Sequence, residues 1–203
     1  MESITLDAAA TPEAKVHLDR MLTALQDAAR LPNLWNAPMR AAVDEAFLAY
    51  DAYLALVVSA HPMSCRERCT ACCHDNPRGV TGIELRRLYE QVITASGAGT
   101  TMARFGTLDA QGTDPTQWRK RGIPCPLLKD GRCSTYANRP IACRSFVALT
   151  PAEWCSPGDV HHPERVNPHL EPPLVLLKFL QLLSTNLGLQ NADDLHSGMA
   201  ALS

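Results

Sequence analysis

The sequence of 203 residues has no cysteine in its first 64 residues or its last 48, and its net charge is only −2. A charge this close to zero provides no general attraction to nucleic acid or to a membrane surface. The motifs GxGxxG, GxxxxGK[ST] and HExxH are also missing. There is therefore no local signal for a bound nucleotide or for a zinc-protease site.

The first residues of the sequence do not predict a secretory signal, and no apolar run is long. Its first residues are acidic and are not followed by the apolar stretch of a signal peptide. The longest apolar stretches, 54–60 and 174–183, are too short or too interrupted to span a bilayer, since Lys178 and Gln181 break the second one. We therefore expect a cytoplasmic protein that contacts no membrane.

What the chain does have is the composition of a globular protein with several helices. Hydrophobic residues make up 46% of it and charged residues 20%, which suits one domain with a real core. Apolar residues recur every three or four positions over 12–30 and about 38–60, and this spacing predicts two helices packed as a hairpin. Another helix is predicted over about 173–187, apolar nearly all round and therefore mostly buried.

Local signals divide the middle of the chain. Thr81 and Glu84 fit a capping box, which predicts a helix starting there and ending near residue 96. Residues 97–114, rich in Gly and Thr, predict a loop or a short broken helix. Asp130-Gly131 is a tight-turn signal and predicts a small hairpin.

The predicted fold class is mainly α. We expect a single domain with helices around a loop-rich, cysteine-ligated metal centre, with a minor β-hairpin. Within it, the sequence divides into an N-terminal helical hairpin (1–62), a cysteine-cluster metal-binding region (63–160), and a proline-rich connection with a C-terminal helix (161–203).

All eight cysteines lie in the middle region, and in a reducing compartment such clustering points to metal or redox chemistry rather than disulfides. Positions 65, 69, 72 and 73 would share one face of a helix, while Cys69-x2-Cys72 also has the spacing of a metal knuckle. Both alternatives bring the four thiols together. The candidate metal ligands are Cys65, Cys69, Cys72, Cys73, Cys125, Cys133, Cys143 and Cys155.

The number of thiols bears on the kind of centre. Eight cysteines exceed the four that a closed zinc site takes, so two mononuclear sites, iron–sulfur clusters or a mixture remain open. Adjacent side chains such as those of Cys72 and Cys73 diverge from the backbone, which favours two metal atoms over one. The cofactor is therefore predicted to be zinc or iron, with an iron–sulfur cluster as one form of the latter.

Other side chains near the cysteines could support such a centre. Arg132, Arg139 and Arg144 stand close to Cys133 and Cys143 in the sequence, where guanidinium groups would offset thiolate charge and donate to sulfur. His74 is the nearest candidate nitrogen ligand. For an enzyme, the available acids and bases are His74, Tyr136, Asp75 and Glu153, each more often structural.

The cysteine pattern is similar to that of a known family. Cys65…Cys69-x2-Cys72-Cys73, followed by Cys125-Pro-Leu-Leu-Lys-Asp-Gly-Arg-Cys133-Ser-Thr-Tyr-Ala-Asn-Arg-Pro-Ile-Ala-Cys143-Arg, resembles the YkgJ-like cysteine-cluster family over about residues 65–158. That family carries a CxxCxxCC zinc- or iron-chelating domain. The resemblance implies metal chelation by these thiols but no particular reaction. The sequence departs from the pattern by having three residues, rather than two, between Cys65 and Cys69.

The sequence leaves several functions open. The first is a metal-binding protein that holds iron or zinc through clustered cysteines, with the metal ion as its partner. The alternatives are a metal-dependent oxidoreductase or modifying enzyme, and a thiol redox switch with a structural zinc. A nucleic-acid zinc ribbon is disfavoured because the basic surface it needs is missing.

Overall fold

The computed structural model describes residues 11–60, 65, 69–112, 118, 120–148, 155 and 174–202. Helix α1 (Pro12–Arg30) and helix α2 (Ala37–Ser59) pack against each other, as the apolar spacing predicts. Each begins at a side-chain cap with proline in its first turn: Thr11 accepts from the Ala14 amide, and Asn36 accepts from the Met39 amide, both at 3.1 Å.

The middle of the chain consists of short elements. A 3₁₀ turn (Ala71–His74) leads into strand β1 (Arg78–Val80). Helix α3 (Gly82–Thr94) follows with the predicted capping box, and then helix α4 (Ala98–Ala110). The expectation of a loop or short broken helix after residue 97 is wrong.

Helix α4 forms because its apolar side chains find a core. Met102, Phe105 and Leu108, spaced by three, are all buried. Packing along one face overrides the low helix propensity of glycine and threonine, as tertiary context commonly does.

The predicted hairpin is confirmed. Strands β2 (Leu128–Lys129) and β3 (Arg132–Cys133) pair antiparallel. The turn between them has positive φ at both central residues, 49° at Asp130 and 70° at Gly131. These are the conformations that a two-residue turn of the primed class requires, and glycine adopts them without steric cost.

The last part of the chain comprises helix α5 (Ile141–Arg144), helix α6 (Leu174–Asn186), strand β4 (Ala192–Asp194) and helix α7 (Leu195–Ala200). The structure is therefore mainly α with minor β, as predicted. Strand β4 pairs antiparallel with β1 and thus brings the end of the chain beside the cysteine region, which the sequence did not predict. The proline-rich connection, apart from Cys155, lies outside the described residues, and the three-segment division stays a prediction.

Helix α6 is present as predicted, but its expected burial is wrong. Leu176, Leu180 and Leu183 are buried on one face, whereas Leu174 and Leu182 are more than half exposed. The helix packs on one side only, so its apolar composition does not translate into burial all round. No helix in the described part of the chain is long and apolar enough to cross a membrane.

Two hydrophobic cores meet at α3. The first lies between α1, α2 and α6, and Ile83 of α3 joins it. The second lies between α3, α4 and α7, and it includes Cys125 with Cys73 and Cys133 at its edge. Helix α3 thus fixes the cysteine region relative to the N-terminal helices.

The start of α3 is packed so closely that it supplies a test of the fold. A Cβ at Gly82 would lie 2.7 Å from the Cβ of Leu189 and 2.9 Å from the carbonyl oxygen of Gln190. We expect Gly82→Ala to destabilise the protein by about 1–3 kcal/mol through overpacking. Urea unfolding measures the difference.

Gly106→Ala is the matched control, because Gly106 lies within α4 and a Cβ there would meet nothing within 4 Å. It should stabilise the protein by about 0.5–1 kcal/mol, since alanine loses less backbone entropy in a helix than glycine. Effects of the same sign at both positions would contradict the packing described around Gly82.

Candidate metal centre

The first cysteine group forms a tight turn rather than an α-helix over its described residues. Cys72 and Cys73 lie in the 3₁₀ turn, where the Cys73 amide donates to the Thr70 carbonyl at 2.9 Å and the Asp75 amide donates to the Cys72 carbonyl at 3.1 Å. Cys69 is exposed just before it. Of the two predicted alternatives, this turn favours the knuckle.

The two thiols of the adjacent pair influence each other. Interaction with the Cys73 side chain is the largest cause of the raised pKa of the Cys72 thiol. The expectation that the two side chains favour two metal atoms over one stays a prediction.

The second group is held by the hairpin and by α5. Cys125 is buried, and its carbonyl accepts from the Leu128 amide at 2.9 Å, which closes the turn before β2. Cys133 ends β3, and its sulfur lies 3.6 Å from the Thr135 hydroxyl. Cys143 lies in α5, with its amide donating to the Pro140 carbonyl at 3.0 Å.

The two groups meet directly. The Cys125 amide donates to the Cys73 carbonyl at 2.7 Å, although the two residues are far apart in the sequence. This backbone hydrogen bond places the first turn against the segment that precedes the hairpin. The two groups therefore lie side by side, while the meeting of their sulfur atoms around a common ion or cluster stays a prediction.

Thiols of the first cysteine group also affect the pKa of thiols in the second. A hydrogen bond with Cys73 and burial raise the pKa of the Cys72 thiol. Burial raises the pKa of Cys125 to about 12, with Cys133 and Cys72 adding to the effect. Burial likewise raises the pKa of Cys143, to which Cys125, Cys72 and Cys133 contribute. One buried thiol and three half-buried ones thus share one environment, in which Cys72 and Cys133 disfavour ionisation of Cys125 and Cys143.

Cys65 is attached to the same region by a different contact. Its sulfur accepts from the Ala148 amide at 3.2 Å. Partial burial raises the pKa of the Cys65 thiol, and Cys69 and Cys72 contribute in the same direction. The spacing after Cys65 departs from the family pattern, but Cys65 still lies near the other thiols of its group.

Ligation itself stays a prediction for all eight cysteines. In the described ranges, no three Cys, His, Asp or Glu side chains are arranged so that they could hold one metal ion. The described geometry gathers the thiols without setting out a coordination shell. Cys155 is buried, and most of its sequence neighbours lie outside the described residues.

Within the described part of the chain, the hydrogen bonds of Arg139 and Arg144 go to oxygen atoms rather than to sulfur. Arg144 is fully buried and donates to Asp51 and to the carbonyls of Ala137 and Arg139. Arg139 stacks on the ring of Tyr136, with its guanidinium carbon 3.9 Å from the ring centroid. These guanidinium groups connect the cysteine region to α2 and to its own backbone.

Arg104 of α4, which the sequence analysis missed, places a positive charge near Cys125. Its charge opposes the rise in the pKa of Cys125. Arg104 is exposed and 21 residues before Cys125, so sequence proximity could not identify it. Only the packing of α4 on the second core brings them close.

The candidate nitrogen ligand and the candidate acid–base groups lie in different local settings. His74 Nδ1 lies 3.2 Å from the Thr70 carbonyl within its own turn. Tyr136 is 64% exposed. Asp75 follows the first turn directly, while Glu153 lies outside the described residues.

A buried carboxylate connects α3 to the second cysteine group. Glu84 Oε2 accepts from the Thr81 amide at 2.8 Å and from the Thr81 hydroxyl at 2.7 Å, while Oε1 accepts from the Ile141 amide at 2.6 Å. Burial raises the pKa of Glu84, and these hydrogen bonds act in the opposite direction. The sequence identified the capping box but not the contact with Ile141.

The donor set fits a thiophilic metal. Thiolates are the ligands that zinc and iron–sulfur clusters prefer, and a bound cation would favour the ionised form of thiols whose pKa is otherwise raised. The residues that would supply donors to such a group from both parts of the chain are Cys72, Cys73, Cys125, Cys133 and Cys143.

Comparison with known proteins agrees with this chemistry. Residues 64–158, just under half of the chain, match the family model described as the CxxCxxCC putative zinc- or iron-chelating domain. Comparisons with curated proteins and with solved structures found no match. The part of the chain that contains all eight cysteines is therefore similar to the CxxCxxCC family.

Proposed function

We propose that this protein chelates iron or zinc through its clustered cysteines, with iron, as ions or as an iron–sulfur cluster, the favoured metal. The observation that carries the proposal is the hydrogen bond between the Cys125 amide and the Cys73 carbonyl. It brings two cysteine groups more than 50 residues apart in sequence into one place. Chance burial of single cysteines does not account for such a meeting.

The thiols that share one electrostatic environment are the first candidates to hold the metal. These are Cys72, Cys125, Cys133 and Cys143. Cys73 lies beside Cys72 in the same turn, and Cys65, Cys69 and Cys155 would complete a larger centre or a second one. The metal supplies the positive charge that lets several buried thiolates coexist.

Iron is favoured because the candidate ligands are almost all sulfur and exceed what one zinc ion needs. The adjacent pair Cys72-Cys73 adds a second argument, because side chains at neighbouring positions serve two metal atoms more readily than one. Zinc is the direct competitor, because Cys69-x2-Cys72 has the spacing of a metal knuckle. The eight free cysteines fit the reducing cytoplasm predicted from the sequence.

A thiol redox switch is the weaker alternative. The thiolate is the reactive form of cysteine, yet the pKa of Cys65, Cys72, Cys125 and Cys143 is raised. Protonated thiols react slowly with oxidants. A metal-dependent enzyme would need a substrate site, and no described contact near the thiols favours one.

The test is to produce and purify the protein without exposure to air, and then to measure iron, zinc and acid-labile sulfide per chain together with the visible absorption spectrum. We expect bound iron with coloured protein, and sulfide in proportion if a cluster forms. A colourless protein with stoichiometric zinc would exclude iron. A protein that holds neither metal, and takes up neither when supplied anaerobically, would refute chelation.

A further inference from the structure

We propose that Glu84 is a positioning residue of the cysteine centre, because its carboxylate holds the short helix that carries Cys143. The proposal rests on the proposed metal-chelating function for its purpose, but the contact itself can be tested without metal. Glu84 is a helix-capping residue by its sequence motif. The structure assigns it a second task, in a different part of the chain.

The two carboxylate oxygens serve different partners. Oε2 accepts both hydrogen bonds from Thr81 and so closes the capping box at the start of α3. Oε1 is left to accept from the Ile141 amide at 2.6 Å, across 57 residues of sequence. One side chain therefore links the first turn of α3 to the first residue of α5.

Helix α5 depends on this contact more than a longer helix would. It has only four residues, and Pro140 before it supplies no side-chain cap. An amide at a helix start has no partner within the helix. Glu84 provides that partner for the Ile141 amide, two residues before Cys143. Arg144, directly after Cys143, donates to Asp51. Cys143 is thus held from both sides.

The surroundings leave little freedom for another arrangement. Glu84 is 2% exposed and Ile141 also 2% exposed, so water does not replace the lost partner easily. Other buried polar groups nearby are already used: the Ile83 amide donates to the Ser184 hydroxyl at 3.1 Å, and the Gly82 amide donates to Asn191 at 2.9 Å. Among the described residues, the Ile141 amide donates to the carboxylate of Glu84.

Glu84→Gln tests the proposal with nearly unchanged volume. An amide has one oxygen and one NH₂ group; facing Thr81 the oxygen accepts from two donors, whereas facing Ile141 it accepts from one. We therefore expect the NH₂ group to face the Ile141 amide, so that this contact is lost. The matched control is Thr81→Val, which keeps the shape of residue 81, removes its hydroxyl and leaves the oxygen that faces Ile141. Both variants should lower the unfolding midpoint, but only Glu84→Gln should release α5.

The readout is the alkylation rate of each cysteine in metal-free protein, resolved by mass spectrometry, with Cys65 as the internal reference. We expect Cys143 to react about tenfold faster in Glu84→Gln, the factor that corresponds to a loss of about 1.4 kcal/mol in protection. Chelator competition should show a metal affinity reduced by a similar factor. Thr81→Val should leave both values as in the wild type.

Equal Cys143 reactivity in Glu84→Gln and Thr81→Val would overturn the proposal. If Glu84→Gln does not fold, amide hydrogen exchange in the wild type decides instead: the Ile141 amide should be protected, and exchange at the rate of an unbonded amide would refute the contact. If the protein holds no metal, the proposed function fails, whereas the alkylation and exchange results still report on Glu84.

Discussion

Replacing Cys72 or Cys133 with serine is expected to remove most of the bound metal and to destabilise the region from residue 65 to 155. The two residues come from the two cysteine groups, and a serine hydroxyl is a much poorer ligand for zinc or iron than a thiolate. The metal affinity should fall by more than about 100-fold, because removing only a hydrogen-bond partner of a metal ligand already costs up to about this factor. Metal per chain after anaerobic purification measures the effect.

The destabilisation follows from linkage between binding and folding. A metal that binds only the folded chain contributes its binding free energy to stability. Added metal should therefore raise the unfolding midpoint of the wild type but not that of either variant. Ser134→Ala, an exposed change beside Cys133, is the control and should behave as the wild type. Full metal content in both serine variants would refute the assignment of these ligands.

The second large effect concerns pH and the buried histidine His196. Its side chain is 1% exposed, with the ring centroid 4.3 Å from that of Trp118 and 5.9 Å from that of Phe105. Neither ring nitrogen has a hydrogen-bond partner among the described residues. Burial lowers the pKa of His196 to about 4, and the nearby charge of Asp194 opposes this only in part.

The sign of the pH effect follows from the two pKa values. The unfolded chain binds the proton at the ordinary histidine value of about 6.5, well before the folded protein does. The contribution of a neutral His196 is thus complete above about pH 6.5 and is lost progressively as the pH falls towards 4. One pKa unit corresponds to about 1.4 kcal/mol, so the loss amounts to about 3 kcal/mol.

Denaturant unfolding between pH 7.5 and 4 measures this loss. His196→Phe removes the titrating group and keeps an aromatic ring, so the decline in stability over this range should be smaller by about 3 kcal/mol. Ser134→Ala, which removes no titrating group, is the control and should retain the decline of the wild type. An unchanged decline in His196→Phe would show that His196 does not titrate as its burial predicts.

Local patterns in the sequence were sufficient for much of the fold. The apolar spacing of α1 and α2, the capping box at Thr81 and the turn at Asp130-Gly131 all depend on neighbours within a few positions. They were identified correctly for that reason. The loop expected after residue 97 failed because the packing of Phe105 on α7 outweighs the local preference of glycine and threonine.

The same division applies to the candidate site. The sequence by itself determined which atoms the protein can offer to a metal, because eight thiols and their spacing are a matter of residue identity. Only the tertiary structure decided that the Cys73 turn contacts Cys125, that Arg104 lies near Cys125, and that Glu84 contacts the helix of Cys143. These contacts join residues 21 to 57 positions apart in the chain, and side chains at such separations meet only once the helices have packed.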